Sequence, residues 1–112
     1  MKLSFLLWVV VAIALVVYAQ QAMPRMATVE PDNGKTGDVI TVAGENLQKA
    51  AVSKVYLTDG KVDTEVQIME QSDKAIKFKI PKVGAGRLAL MVLTAGKDAK
   101  LMEQPVKVQI DE

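Results

Sequence analysis

Between Ala75 and Pro81, apolar and charged residues alternate one for one: Ile76, Phe78 and Ile80 against Lys77 and Lys79, with Pro81 closing the run. A repeat of two puts successive side chains on opposite faces of an extended chain, so this segment suits a sheet with one buried face and one wet face. It does not suit a helix, whose apolar positions recur every three to four residues. The same period returns in short runs. Ile40 and Val42 alternate with Val39 and Thr41, and Val55 and Leu57 flank an outward Tyr56. Val66 and Ile68 are the inward residues of Glu65–Met69, and Val106, Val108 and Ile110 alternate with Lys107 and Gln109. Short alternating runs separated by turn residues predict an all-β sandwich or barrel.

Glycine, proline and asparagine punctuate these runs. A first strand is expected over Met26–Val29, ended by Glu30-Pro31, with Pro31-Asp32-Asn33-Gly34 as a tight turn. Gly37 is expected to release the chain into the next strand and Gly44 to end it. Asn46 is expected to satisfy local backbone groups, with Leu47 tucked beneath the loop. Gly84-Ala85-Gly86 permits a close approach into Arg87–Thr94. Pro105 is expected to open the last strand, because proline cannot donate to a ladder.

The N-terminus has a different character. Lys2 precedes LSFLLWVVVAIALVV at Leu3–Val17, then Tyr18-Ala19, then polar Gln20-Gln21. Charge, apolar core and small residue in this order form a secretory signal layout. Val17 and Ala19 occupy the third and first positions before a cut between Ala19 and Gln20. The alternative is an uncleaved anchor: a spanning helix needs about 20 apolar residues, and about 17 can suffice. Lys2 stays on the cytoplasmic side in either case. The expected division is residues 1–19 as signal peptide or anchor, 20–25 as lead-in and 26–112 as one domain. The expected location is secreted or periplasmic, or outside the cytoplasm on an N-terminal membrane anchor.

Composition narrows the function classes. Setting Lys2 aside from the 14 basic residues leaves them balanced by the 13 acidic ones. A neutral chain lacks the basic excess that phosphate binding needs, so no nucleic-acid partner is expected. Cysteine is absent, which excludes disulfides and thiolate metal sites and leaves stability to the core. Histidine is absent too, removing the usual general base and best nitrogen ligand.

Pro31, Gly34, Gly37, Ile40, Val42, Gly44, Asn46 and Leu47, followed by Ile80-Pro81 and Gly86, resemble the motif positions of the IPT/TIG family. These are immunoglobulin-like domains of plexins, certain transcription factors and bacterial surface proteins. The resemblance runs from about residue 26 to 110. It implies an immunoglobulin-like, E-set type β-sandwich of about seven antiparallel strands used for adhesion, spacing or dimerisation. It brings no catalytic residues.

Four groups of residues merit weighing as sites. Asp59, Asp63 and Glu65 cluster near a turn, but lysines are interleaved and no Asp-x-Asp-x-Asp-Gly loop is present, so they read as solvated turn charges. Lys74, Lys77, Lys79 and Lys82 form a basic run; on a strand Lys77 and Lys79 share one outward face, where they blunt self-pairing. An anionic-ligand site is the alternative, for which the neutral net charge offers no broader attracting field. A carbohydrate platform wants exposed aromatic faces, and Tyr56 is the one outward candidate, Phe78 lying at a core position. Finally, Leu88, Leu90 and Val92 facing the core would turn Ala89, Met91 and Leu93 outward. In an immunoglobulin-like sandwich the penultimate strand lies between the third and the last, setting Met91 and Leu93 beside Tyr56. Contiguous apolar surface of this kind marks protein contacts, unless the stems of Lys54 and Lys107 cover it. The expectation is a non-enzymatic module without metal or cofactor, binding another protein or itself through Tyr56, Met91 and Leu93. A carbohydrate- or matrix-binding module and a membrane-anchored spacer are the alternatives.

Overall fold

The computed structural model describes residues 23–112; the Ala19–Gln20 cut site lies outside the described residues. Among the described residues nine strands follow one another: β1 Arg25–Glu30, β2 Asn33–Gly34, β3 Val39–Glu45, β4 Val52–Thr58, β5 Asp63–Glu65, β6 Gln67–Gln71, β7 Ala75–Lys79, β8 Gly86–Thr94 and β9 Leu101–Ile110. They form two sheets, ordered β1-β3-β7-β6 and β2-β9-β8-β4-β5. All pairings are antiparallel except that of β2 with β9. This is the expected all-β, immunoglobulin-like sandwich.

The alternation seen in the sequence supplies the core. Met26, Ile40, Val42, Leu47, Val55, Leu57, Ile76, Phe78, Leu90, Val92 and Val108 are buried between the sheets. Each such side chain contributes about 1.5–3 kcal/mol when it is fully removed from water.

Four local expectations change. The Pro31–Gly34 segment is not a closed tight turn: Asn33 and Gly34 form β2, paired with Gln109 and Ile110. A Cβ on Gly34 would stand 2.9 Å from Ile80 Cδ1, so glycine lets the backbone lie against the core. Gly44 does not end its strand, since β3 continues to Glu45. It faces β1, where Ala27 is an extra residue between the Met26–Gly44 and Thr28–Ala43 pairs, and a Cβ there would collide with the Arg25 carbonyl.

The Glu65–Met69 run is two strands, not one. Val66 N–H donates to Val55 O, and beyond it the chain leaves one sheet and enters the other as β6. Nor does Pro105 open the last strand: β9 starts at Leu101 and runs through it. Ala89 pairs with Lys107 and Met91 with Glu103, so Gln104, Pro105 and Val106 together oppose Leu90. A bulge leaves residues outside the regular ladder, which is where proline is tolerated.

These bonds also define two poles. At one, Ala95 N–H donates to Ala51 O, Leu47 N–H to Asp73 O and Asn46 Nδ2 to Met23 O. At the other, Gly37 N–H donates to Ile80 O and Asp111 N–H to Gly34 O.

Candidate functional site

The outer face of the five-stranded sheet brings Tyr56, Met91 and Leu93 together. Tyr56 on β4 is paired directly with Met91 on β8, and Leu93 is paired with Lys54. Directly opposed residues in an antiparallel pair share a face, so the three side chains form one group. All three are half-buried. Leu101, paired with Leu93 across β8 and β9, extends the group and is 45% exposed. The strip therefore crosses β4, β8 and β9.

Charged residues of both signs frame it. Glu65 is paired with Tyr56 on the β5 side, and its carboxylate lies 3.7 Å from Lys54 Nζ. Glu103 is paired with Met91 on the β9 side, and Lys107 with Ala89 beyond it. The Lys54–Glu65 ion pair is solvent-exposed and contributes little stability. Its effect is positional: the Lys54 head is drawn toward β5, away from Leu93. Ala89 is more covered than an outward alanine need be, at 8% exposure, with Thr58 opposite at 4%. The face is thus sealed at the Thr58 end and open at the Leu101 end.

Leu101 is the residue that sequence reasoning missed. Starting the last strand at Pro105 excluded it; the signal that finds it is the continuation of β9 through a bulge.

The other candidates resolve into structure. Asp59 Oδ1 accepts from the N–H groups of Val62 and Lys61, both at 2.8 Å, fixing the β4–β5 turn. These backbone donors, Val62 first and then Lys61, hold its carboxyl below the ordinary carboxylate range. Asp63 lies opposite Thr58 in the hairpin and Glu65 faces Lys54. No cluster of three or more carboxylates suited to a metal occurs among the described residues.

Of the basic run, Lys77 pairs with Glu70 at 3.4 Å, and Lys79 is flanked by Val39 and Gln67. Their strand β7 lies inside its sheet, between β3 and β6, so the lysines do not guard an edge. The edges are β1 and β6; in β6, Met69 is an extra residue between the Ile68–Phe78 and Glu70–Lys77 pairs and stands 53% exposed. Phe78 is fully buried, leaving Tyr56 as the one aromatic side chain on an outer face among the described residues.

Asn46 does not satisfy a local group. It adopts a left-handed φ of 58°, and its Nδ2 donates to the Met23 carbonyl at 3.3 Å. It ties the lead-in to the β3–β4 loop.

A model of the IPT/TIG domain family matches residues 24–110. The chain belongs to this family. No curated protein matches it. Among solved structures it is similar to a structural genomics protein of unknown function from Bacteroides thetaiotaomicron, with TM-score 0.68, 18% identity, and 81% of this chain and 22% of that one covered. It is similar to a gamma-CGTase from the alkalophilic Bacillus clarkii, with TM-score 0.63, 21% identity, and 81% and 12% covered. It is also similar to SGBP-B of the Bacteroides ovatus mixed-linkage glucan utilization locus, in complex with a mixed-linkage heptasaccharide. That match has TM-score 0.51, 18% identity, and 71% and 21% covered. The chain spans less than a quarter of each of these proteins, and at such identities the likeness is one of fold.

Proposed function

We propose that this member of the IPT/TIG domain family is an exported, non-enzymatic interaction module that binds a protein partner through the outer face of its five-stranded sheet. The observation that carries the reading is the strip formed by the Tyr56–Met91 and Leu93–Leu101 pairs. Contiguous apolar surface framed by charge suits a protein contact, and methionine adapts to varied partners. Neither candidate chemistry competes with it. The Asp59 carboxylate is occupied by backbone donors, and the lysines of β7 are dispersed among neutral and acidic neighbours.

Export is read from the N-terminal segment, with the cut between Ala19 and Gln20. Intact mass of the protein recovered from cells distinguishes the processed chain from one that keeps residues 1–19 as an anchor.

The test is affinity capture of the tagged chain under in-cell crosslinking, beside a Met91→Lys/Leu93→Lys variant. One reproducible partner lost in the variant is expected. A partner retained in full by the variant would remove the face from the account. Retention of the chain on a polysaccharide, abolished by Tyr56→Ala, would replace the protein partner with a carbohydrate. That second reading draws support from the heptasaccharide held by one protein of similar fold.

A further inference from the structure

The two poles of the sandwich differ in charge and in what joins them. Met23, where the described chain begins, sits at the pole formed by the β3–β4, β6–β7 and β8–β9 loops. These loops carry exposed Lys49, Lys74, Lys97 and Lys100 against Asp73 and Asp98. The two ion pairs among the described residues, Lys54–Glu65 and Lys77–Glu70, use none of them. The opposite pole reverses the balance. Exposed Asp32, Asp38, Asp59 and Glu112, with half-buried Asp111, stand against Lys35, Lys61 and Lys82.

The basic pole also holds an open, largely apolar cleft of about 290 Å³, lined by Met23, Pro24, Ala50, Ala51 and Ala95 together with Thr94, Asp98 and Lys100. Met23 is 54% exposed. The β8–β9 loop is held in place, because Lys100 N–H donates to Thr94 Oγ1 at 2.8 Å and Thr94 N–H donates to Lys100 O at 2.9 Å. Lys97 and Lys100 are therefore presented by a loop closed at its base.

Three residues, Gln20–Ala22, separate Met23 from Ala19 at the end of the apolar segment. Fully extended, that link spans roughly 14 Å. It is comparable with the distance of about 8–10 Å over which charges act at physiological salt. We propose that, in the chain that keeps residues 1–19, the Met23 pole is a bilayer-facing surface that seats on anionic phospholipid headgroups. Lysines held within a Debye length of anionic headgroups are attracted to them, and the exposed Met23 side chain beside the cleft adds apolar surface for the headgroup region. The short tether makes this weak attraction effectively intramolecular. Repulsion of the acidic pole sets the same orientation. The sheet face carrying Tyr56 and Met91 then stands sideways to the membrane, accessible to a partner. This inference goes beyond the interaction reading and does not need the partner to be known.

The test uses the full chain inserted in vesicles, its intact mass confirming residues 1–19. The absence of cysteine allows single probes at Ala50→Cys on the basic pole and Ala85→Cys on the other. Each carries a fluorophore and is read by headgroup-attached quenchers. Vesicles of phosphatidylcholine alone are compared with vesicles containing phosphatidylglycerol. Phosphatidylglycerol is expected to increase quenching at position 50 and not at 85, and Lys97→Glu/Lys100→Glu to abolish the increase. Equal quenching at 50 in both vesicles, an equal increase at 85, or an increase unaffected by charge reversal would overturn the proposal. If the reversed variant does not fold, the vesicle comparison on the parent lysines decides.

Discussion

The backbone N–H of Met26 donates at 2.7 Å to Oε1 of Gln104, a buried bond that joins the first strand of one sheet to the last strand of the other across 78 residues. Both partners sit beside irregularities. Ala27 is the extra residue in β1, and Gln104–Val106 are the three residues of β9 opposite Leu90. A bulge withdraws backbone groups from the regular ladder, and a buried N–H without an acceptor is costly. Gln104 supplies that acceptor from the facing sheet.

Gln104→Leu keeps the volume and removes the acceptor. The variant is expected to lose about 1–3 kcal/mol in urea unfolding, the cost of leaving a buried donor unpaired. A loss below about 0.5 kcal/mol would mean that the bond is dispensable.

Gly44→Ala is expected to destabilise by about 1–3 kcal/mol, because the new Cβ meets the Arg25 carbonyl, which is backbone and cannot turn aside. Gly84→Ala is the control. No atom lies within 4 Å of its Cβ position, so the change is expected to stay within about 0.5 kcal/mol of the parent.

Such positions show why part of the fold was legible in the sequence and part was not. Ile76, Phe78 and Ile80 alternate without interruption, and the strand, its buried face and its wet face follow from that period alone. The Tyr56–Met91 pairing was legible once the immunoglobulin-like strand order was assumed. Leu101 and Gln104 were not, because the bulge shifts the side-chain phase and Pro105 within a run argues against a strand. The sheet switch at Val66 was hidden for the opposite reason: Val66 and Ile68 keep the same phase while β5 before Val66 and β6 after it belong to different sheets. Asn33-Gly34 carries turn chemistry, yet tertiary pairing with Gln109 and Ile110 draws it into a strand. Asn46 offered no signal for its bond to Met23, since side-chain reach across the fold leaves no period in the sequence.

Asp59 gives a pH dependence whose sign is fixed. Its carboxyl is held below the ordinary range by the Val62 and Lys61 donors, so its contribution to stability is complete above the unfolded-state pKa. That contribution is lost as pH falls through the lower folded-state value. Asp59→Asn keeps an acceptor oxygen but does not titrate. Its unfolding midpoint is expected to fall less than the parent's on acidification. An identical acid limb in both proteins would show that the turn carboxylate is not linked to folding.

Among the described residues, Phe78 is the largest fully buried side chain. Phe78→Ala is expected to cost about 3–5 kcal/mol, from lost burial and the cavity left behind. With cysteine absent, no disulfide offsets the loss, and the thermal midpoint is expected to drop accordingly. Phe78→Leu, which retains most of the apolar volume, is expected to lose less.

The central claim, that the Tyr56–Met91–Leu93 face meets a protein partner, is tested most directly by site-specific photocrosslinking in cells. A photoreactive residue is placed at Leu93 on that face, and in parallel at Lys77 on the outer face of the opposite sheet, with adducts identified by mass spectrometry. A discrete adduct from position 93, absent from position 77, is the expected result. Adducts from position 77 alone, or the same diffuse products from both, would contradict the account.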